Sequence, residues 1–253
     1  HDMEVNIVNR SVTLGGKEIR LTAKEFDLLQ LFITNRGKGV IEDHFDHAFE
    51  LETNLKDNAS KQHIYEELKA IANLANVYFI RQKETKGLAD AILRAKSFVG
   101  NEPFGILYGD DVILSEDPVI GQLCRAYEEF GFGAVGVKEV PREDVPKYCT
   151  LDVTPLRDNI MKCNNIIEKP TPDQIMSCYS ILGRVVMPPE IFGIIEQTPV
   201  DKKSGEVYFT DSMVTLAKQS GLTAVDFVGT RYDMGNKLGI MKANCEVALT
   251  HPE

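Results

Sequence analysis

Near the N-terminus, Val5, Ile7, Val12, Leu14, Ile19 and Leu21 fall at alternate positions in short runs on either side of Gly15-Gly16. Period-two alternation broken by a glycine pair predicts two short strands joined by a turn. Thr22-Ala23-Lys24-Glu25 then has the form of a capping box, in which threonine accepts from the third amide and glutamate reaches back to the cap amide. A helix is predicted to start there, with Phe26, Leu29 and Phe32 on one face. Beyond Leu31 the pattern changes. Short apolar runs at 77–81, 104–108, 133–137, 166–169, 180–186 and 223–227 read as strands, and the stretches between them carry helical periodicity. Segment 61–75 places Ile64, Leu68 and Ile71 on one face, 119–130 follows Asp117-Pro118, Thr171-Pro172-Asp173-Gln174 is a capped start, and 210–220 is amphipathic. Strands alternating with helices predict an α/β fold, a mostly parallel mixed sheet flanked by helices, with an atypical hairpin and helix in front of it.

Composition narrows the function. A chain of 253 residues buries roughly 70–75% of its unfolded surface, so its core needs no metal or disulfide staple. Its 28 basic and 38 acidic residues give a net charge of −10, which repels polyanions and anionic membranes, so any phosphate site must be local. No apolar run approaches the roughly 20 residues of a membrane span. A cytoplasmic location and no membrane partner are expected. Cys124, Cys149, Cys163, Cys178 and Cys245 form no CxxC pair and are odd in number, which favours reduced thiols over a disulfide framework or zinc site.

Candidate chemistry lies in three places. Tyr108-Gly109-Asp110-Asp111 follows an expected buried strand, Glu168-Lys169-Pro170 follows another, and Tyr232-Asp233-Met234-Gly235-Asn236-Lys237-Leu238-Gly239 stands near the end of the chain. A carboxylate at a strand end, a second one far along the chain and a lysine beside a third suit a magnesium and phosphate site. Each has a plainer alternative. Asp110 could cap a following helix, Asp233 could be a turn aspartate before Gly235, and Glu168 with Lys169 could form a solvated ion pair. His44 and His47 sit in an acidic stretch and read as surface residues rather than ligands.

Two resemblances organise these motifs. The stretch from Asn9 to Gly37, containing Gly16-Lys17-Glu18-Ile19-Arg20-Leu21-Thr22 and closing on Asn35-Arg36-Gly37, resembles the start of the winged-helix output domain of bacterial response regulators. Nothing after Gly37 resembles the DNA-reading helix or the wing, and no basic surface is clustered, so nucleic acid is not an expected partner. Farther on, Ile41-Glu42-Asp43-His44-Phe45-Asp46, Ile80-Arg81-Gln82-Lys83-Glu84, Lys86-Gly87-Leu88, Gly109-Asp110-Asp111, Val140-Pro141-Arg142-Glu143, Ile167-Glu168-Lys169-Pro170, Gly183-Arg184, Gly205-Glu206 with Thr210-Asp211, and Arg231-Tyr232-Asp233 occur in order. Together they closely resemble the bacterial UTP–glucose-1-phosphate uridylyltransferases, within the sugar-phosphate nucleotidyltransferases. The expected division is residues 1–37, winged-helix-like, and 38–253, nucleotidyltransferase-like.

That second resemblance implies a Rossmann-like nucleotidyltransferase fold and a reaction in which a sugar phosphate attacks the α-phosphorus of UTP and pyrophosphate leaves. It implies UTP, UDP-glucose and glucose 1-phosphate as partners and Mg2+ as cofactor, held by Asp110 and Asp233. Lys169 would meet the sugar's phosphate, Glu168 the sugar hydroxyls, Tyr148 would face the sugar, and Gln82 and Gly87 would read the uracil and approach the ribose. Asp110, Lys169 and Asp233 would carry the catalysis. The family's glycine-rich phosphate loop has no counterpart in the first residues, where the response-regulator-like segment stands, and Cys149 follows Tyr148 where the family has glycine. Turnover therefore does not follow from the resemblance alone. Three readings stay open: a uridylyltransferase-type protein, a noncatalytic chimeric oligomer that keeps the α/β framework, and a DNA-binding module. A homo-oligomer is expected, in which another copy could cover an exposed sheet edge. Whether 23–34 is one helix or a helix followed by a strand is also open.

Overall fold

The computed structural model describes residues 3–6, 11–14, 17–19, 47, 49–56 and 58–250. The helix expected from Ala23 and the motif at 41–46 lie outside them. Contacts divide the chain into two units, His1–Phe79 and Ile80–Glu253. In the first, strands β1 (Met3–Asn6), β2 (Ser11–Leu14) and β3 (Lys17–Ile19) pair antiparallel in chain order. Helix α1 (Phe49–Lys56) is followed by a turn in which Asn58 Oδ1 accepts from Ser60 N at 3.1 Å, and then by α2 (Gln62–Ala72). Asn73 ends α2, its amide side chain donating to the Lys69 carbonyl at 2.7 Å.

The second unit is built on a six-stranded sheet. Its strands are β4 (Phe104–Leu107), β6 (Gly133–Glu139), β7 (Cys149–Arg157), β8 (Ile160–Glu168), β9 (Tyr179–Met187) and β10 (Leu222–Asp226), in spatial order β4-β9-β6-β10-β8-β7. A separate ribbon pairs β5 (Asp111–Leu114) antiparallel with β11 (Thr230–Asp233). Four of the helices described in this unit supply most of the cover for the sheet. Helix α3 (Leu88–Leu93), α5 (Val119–Phe130), α6 (Ile191–Gln197) and α7 (Phe209–Gln219) each bury an apolar face, while α4 (Lys96–Val99) and α8 (Lys237–Thr250) complete the order.

The α/β class holds, but the strand directions differ from expectation. Only β6 and β10 run parallel, and every other pair in the six-stranded sheet is antiparallel. Two features produce this: β9 runs against both β4 and β6, and β7 and β8 form a hairpin of two nine-residue strands joined through Asp158-Asn159, with Asp158 in the left-handed region at φ 49°. Segment 77–81, apolar enough to read as a strand, pairs with no strand among the described residues, and Val77, Phe79 and Ile80 are exposed. The capped start at Thr171 makes its reciprocal hydrogen bonds but extends only one 3-10 turn, Pro172–Gln174.

Helix α5 shows how local sequence sets the packing. Pro118 precedes its first turn and Gly131 closes it in the left-handed conformation at φ 68°. Val119, Leu123 and Ala126, spaced four and three apart, are buried with Ala134, Leu182, Val186, Val225 and Phe227 on one face of the sheet. On the other face Ile191, Phe192, Ile195, Phe209, Met213 and Leu216 from α6 and α7 pack on Val135, Val137, Leu151, Val185 and Leu222. Truncating a fully buried leucine such as Leu123 costs about 2–5 kcal/mol, so either layer alone matters to the fold. The sheet is thereby held rigid, and its strand ends become fixed mounts for side chains.

Candidate functional site

Strand β4 ends at Leu107 and the chain turns at Tyr108-Gly109-Asp110 into β5. Tyr108 N donates to the Gly183 carbonyl at 2.9 Å, and Asp111 N to the Tyr108 carbonyl at 3.2 Å. Asp110 therefore stands on a turn between two strands, with no helix after it to cap. The β5–β11 ladder sets Asp111 opposite Asp233, and Met234 N donates to the Asp110 carbonyl at 2.7 Å. Residues more than a hundred positions apart are brought to one point this way. A Cβ placed on Gly235 would lie 3.0 Å from Asp233 Oδ1 and 3.9 Å from Asp110 Oδ2, so both carboxylates border the space beside Gly235.

The end of β11 is secured from both sides. Gly235 N donates to Asp233 Oδ1 at 2.9 Å, the turn role that the sequence allowed. Asn236 caps α8 by accepting from Gly239 N at 2.8 Å. Gly239 has to be glycine: a Cβ there would sit 1.8 Å from the Asp233 carbonyl oxygen.

A network of charge lies behind these carboxylates. Asp111 is 6% exposed, and burial pushes its carboxyl above the ordinary carboxylate value, opposed by Arg231. Arg231 Nε donates to Asp111 Oδ1 at 2.5 Å, and its Nη1 donates to the Tyr148 hydroxyl at 3.3 Å. That hydroxyl in turn donates to Asp233 Oδ2 at 3.2 Å. The guanidinium also lies 5.2 Å from the Tyr148 ring centroid, within cation–π range. Asp111 fits because β9 is irregular at this point. The register of β6 on β9 shifts opposite Gly183, whose φ is +73°, and a Cβ on Gly183 would stand 2.7 Å from the Asp111 Cβ.

Glu168 ends β8 and Lys169 follows in the left-handed region at φ 44°, its amide donating to the Tyr148 carbonyl at 2.8 Å. Such a backbone costs a non-glycine residue about 1 kcal/mol or more, and strain of that kind concentrates where a side chain must be aimed. Burial raises the Glu168 carboxyl, while Lys169 and the Thr210 hydroxyl act the other way. Thr210 Oγ1 is itself buried beside that carboxylate and makes no hydrogen bond of normal geometry.

All of these surround one cavity of about 320 Å³, lined among others by Tyr108, Asp110, Asp111, Tyr148, Cys149, Glu168, Lys169, Thr210, Arg231 and Asp233. Of the residues singled out in the sequence, Asp110, Tyr148, Glu168, Lys169 and Asp233 are in its wall. Gln82 and Gly87 are not. The Gln82 amide nitrogen donates to Asp90 Oδ2 at 2.7 Å and to the Gly87 carbonyl at 3.2 Å, serving the start of α3. Gly87 packs tightly on the neighbouring wall, where a Cβ would come within 2.9 Å of Glu206 Cβ and the Val207 carbonyl.

The nucleotidyl transferase family model matches residues 38–249. A UTP–glucose-1-phosphate uridylyltransferase of Staphylococcus epidermidis is 40% identical over 223 residues, 88% of this chain and 77% of that protein. The uridylyltransferase YngB of Bacillus subtilis is 39% identical over 224 residues, 88% of this chain and 74% of that protein. The chain belongs to the UTP–glucose-1-phosphate uridylyltransferases of the nucleotidyl transferase family. Solved structures agree with this assignment. A UDP-glucose pyrophosphorylase complexed with UDP-glucose superposes with a TM-score of 0.74 at 29% identity, covering 83% of this chain and 77% of that one. A UTP-bound enzyme from Acinetobacter baumannii gives 0.74 at 29% identity, covering 85% and 75%.

Asp111, Arg231 and Thr210 are polar cavity residues of this family member that the sequence alone did not mark as site residues. Asp111 and Arg231 lay inside quoted motifs, but their pairing depends on the β5–β11 register, which two four-residue strands do not announce. Thr210 lay beside Asp211 in another motif, and only its burial next to Glu168 marks it. Cys149 lines the cavity with its thiol pushed up to about 12 by burial, so it stays protonated at neutral pH.

Among the described residues no group of three or more histidine, cysteine, aspartate or glutamate side chains is placed to hold a metal. Two hard carboxylates facing an open cavity suit an ion that keeps most of its waters, as magnesium does, better than a closed zinc cage. No helix is long and apolar enough to cross a membrane among the residues described.

Proposed function

We propose that this chain joins UTP and glucose 1-phosphate into UDP-glucose, releasing pyrophosphate, in the cavity between the strand ends of β4, β8 and β11. The observation that carries the reading is the convergence of Asp110 Oδ2 and Asp233 Oδ1 on the space beside Gly235. Those two carboxylates would hold a magnesium ion. When bound, the ion neutralises charge on the phosphates during in-line displacement.

The remaining work falls to the chain itself. Lys169, aimed into the cavity by its left-handed backbone, supplies a positive charge to the phosphate of the sugar. Glu168 accepts from sugar hydroxyls, and Thr210 Oγ1 beside it has hydrogen-bonding capacity left for the same ligand. Tyr148 forms one wall and fixes Asp233 through its hydroxyl. Catalysis of this type is mostly positioning and charge neutralisation, which a rigid set of strand ends serves well. Gln82, committed to Asp90 and the Gly87 carbonyl, supports the loop before α3 and leaves only its amide oxygen for a base.

The test is pyrophosphate release from UTP and glucose 1-phosphate in the presence of magnesium. Release that requires both substrates and the metal is expected, and its complete absence from folded protein would overturn the proposed activity.

A further inference from the structure

Asp233 and Asp111 flank one arginine, and only one of them holds it. Arg231 Nε and Nη2 both lie 2.5 Å from Asp111 Oδ1, whereas Nη2 is 3.9 Å from Asp233 Oδ2. Resting on the metal assignment proposed above, we infer that Asp111 is a positioning residue: a buried counter-charge that keeps Arg231 off Asp233, so that the Asp233 carboxylate stays available to a divalent cation.

The geometry favours Asp111 for reasons that are local. Its backbone is fixed by Arg184, whose Nη1 donates to the Asp111 carbonyl at 3.1 Å, and its side chain is wedged against Gly183. The Arg231 side chain is 16% exposed and that of Asp111 5%, so their attraction is poorly screened. Asp233, at 29%, is wetter and offers the guanidinium a weaker hold. Between Arg231 and Asp233 stands the Tyr148 hydroxyl, which takes Nη1 at 3.3 Å and gives its own proton to Asp233 Oδ2 at 3.2 Å. Asp233 is thereby held in place by a neutral donor. Without the charge on Asp111, the guanidinium needs to move only about an ångström to bond Asp233 directly, and a cation would then compete with a resident arginine.

Manganese binding to the full chain, followed by electron paramagnetic resonance, tests this without any substrate. Wild type should bind the ion, and Asp233→Asn should lose it. Asp111→Asn should weaken binding about tenfold or more, the size expected of a redirected charge pair at short range. Arg231→Gln should bind at least as tightly as wild type. The double variant should return to within about threefold of wild type, because neutralising both members of a buried pair is far less disruptive than removing one.

A double variant as weak as Asp111→Asn would overturn the inference, since Asp111 would then act on the ion directly or hold the fold. Weakened binding in Arg231→Gln would also overturn it, making the arginine a scaffold for Asp233. Melting curves without metal show which variants are folded; if Asp111→Asn is not, Arg231→Gln and the double variant decide. Wild-type binding that is indifferent to Asp233→Asn would refute the metal assignment itself and this inference with it, a result distinct from either of the others.

Discussion

The Tyr148 hydroxyl, just ahead of β7, donates to Asp233 Oδ2 at the end of β11 across 3.2 Å. A residue of the hairpin side of the sheet thus fixes a carboxylate of the two-stranded ribbon, and the cavity wall and the proposed ion site become one rigid piece. Tyr148→Phe keeps the ring and its stacking with Arg231 and removes only this link and the hydrogen bond from Arg231 Nη1. A neutral hydrogen bond is worth about 0.5–1.5 kcal/mol, so manganese affinity should fall about three- to tenfold while the melting temperature barely moves. Titration of the ion against the folded variant checks this.

Lys169 separates backbone strain from charge. Lys169→Gly should relieve the left-handed conformation and stabilise the protein by about 1 kcal/mol, yet raise the KM for glucose 1-phosphate by about an order of magnitude. Lys169→Met should raise KM equally with no gain in stability. Thermal melting and steady-state kinetics on the two variants test whether the strain serves to aim the ammonium.

Glu168 gives a pH-dependent stability. Burial raises its folded carboxyl above the ordinary 4.5. A group raised in the folded state contributes stability that is fully present below its unfolded value and is lost as pH rises through the folded one. Glu168→Gln should therefore melt higher than wild type at pH 7, and the gap should close as pH falls below about 4.5. Melting temperatures across that range give the answer, and substrate binding should be lost in the variant at every pH.

Gly183 is where the fold gives way to the site. Gly183→Ala adds a Cβ 2.7 Å from the Asp111 Cβ at a φ of +73°, which combines overpacking with a disfavoured backbone. A cost of about 2–4 kcal/mol is expected, seen as a melting temperature lower by several degrees. Displacing Asp111 should also weaken manganese binding in whatever fraction stays folded.

The sequence showed the layers of this fold better than its connections. Strands β4, β6, β9 and β10 and helices α5 and α7 were legible because Val, Ile and Leu run together in the strands and recur every three to four residues in the helices. Strand direction was not legible: an apolar run such as β9 does not show that it lies against β4 and β6, and β7, with Thr150, Asp152, Thr154 and Pro155, lacks the apolar run that marks a strand, which hid the hairpin. Asp110, Glu168, Lys169 and Asp233 could be picked out as candidates by their motifs. The Asp111–Arg231 pair could not, since it exists only through the register of two short strands 120 positions apart. Segment 77–81 misled in the opposite direction, an apolar run with no ladder partner among the described residues.

The account stands on Asp110 and Asp233 sharing one divalent ion, and heat protection by UDP-glucose measures that directly. A ligand bound only to the folded state at about a hundred times its Kd adds about 2.7 kcal/mol, a shift of several degrees. Wild type should be protected with magnesium and not with chelator, and Asp110→Ala and Asp233→Ala should each lose the magnesium-dependent part. Undiminished magnesium-dependent protection in both variants would contradict it.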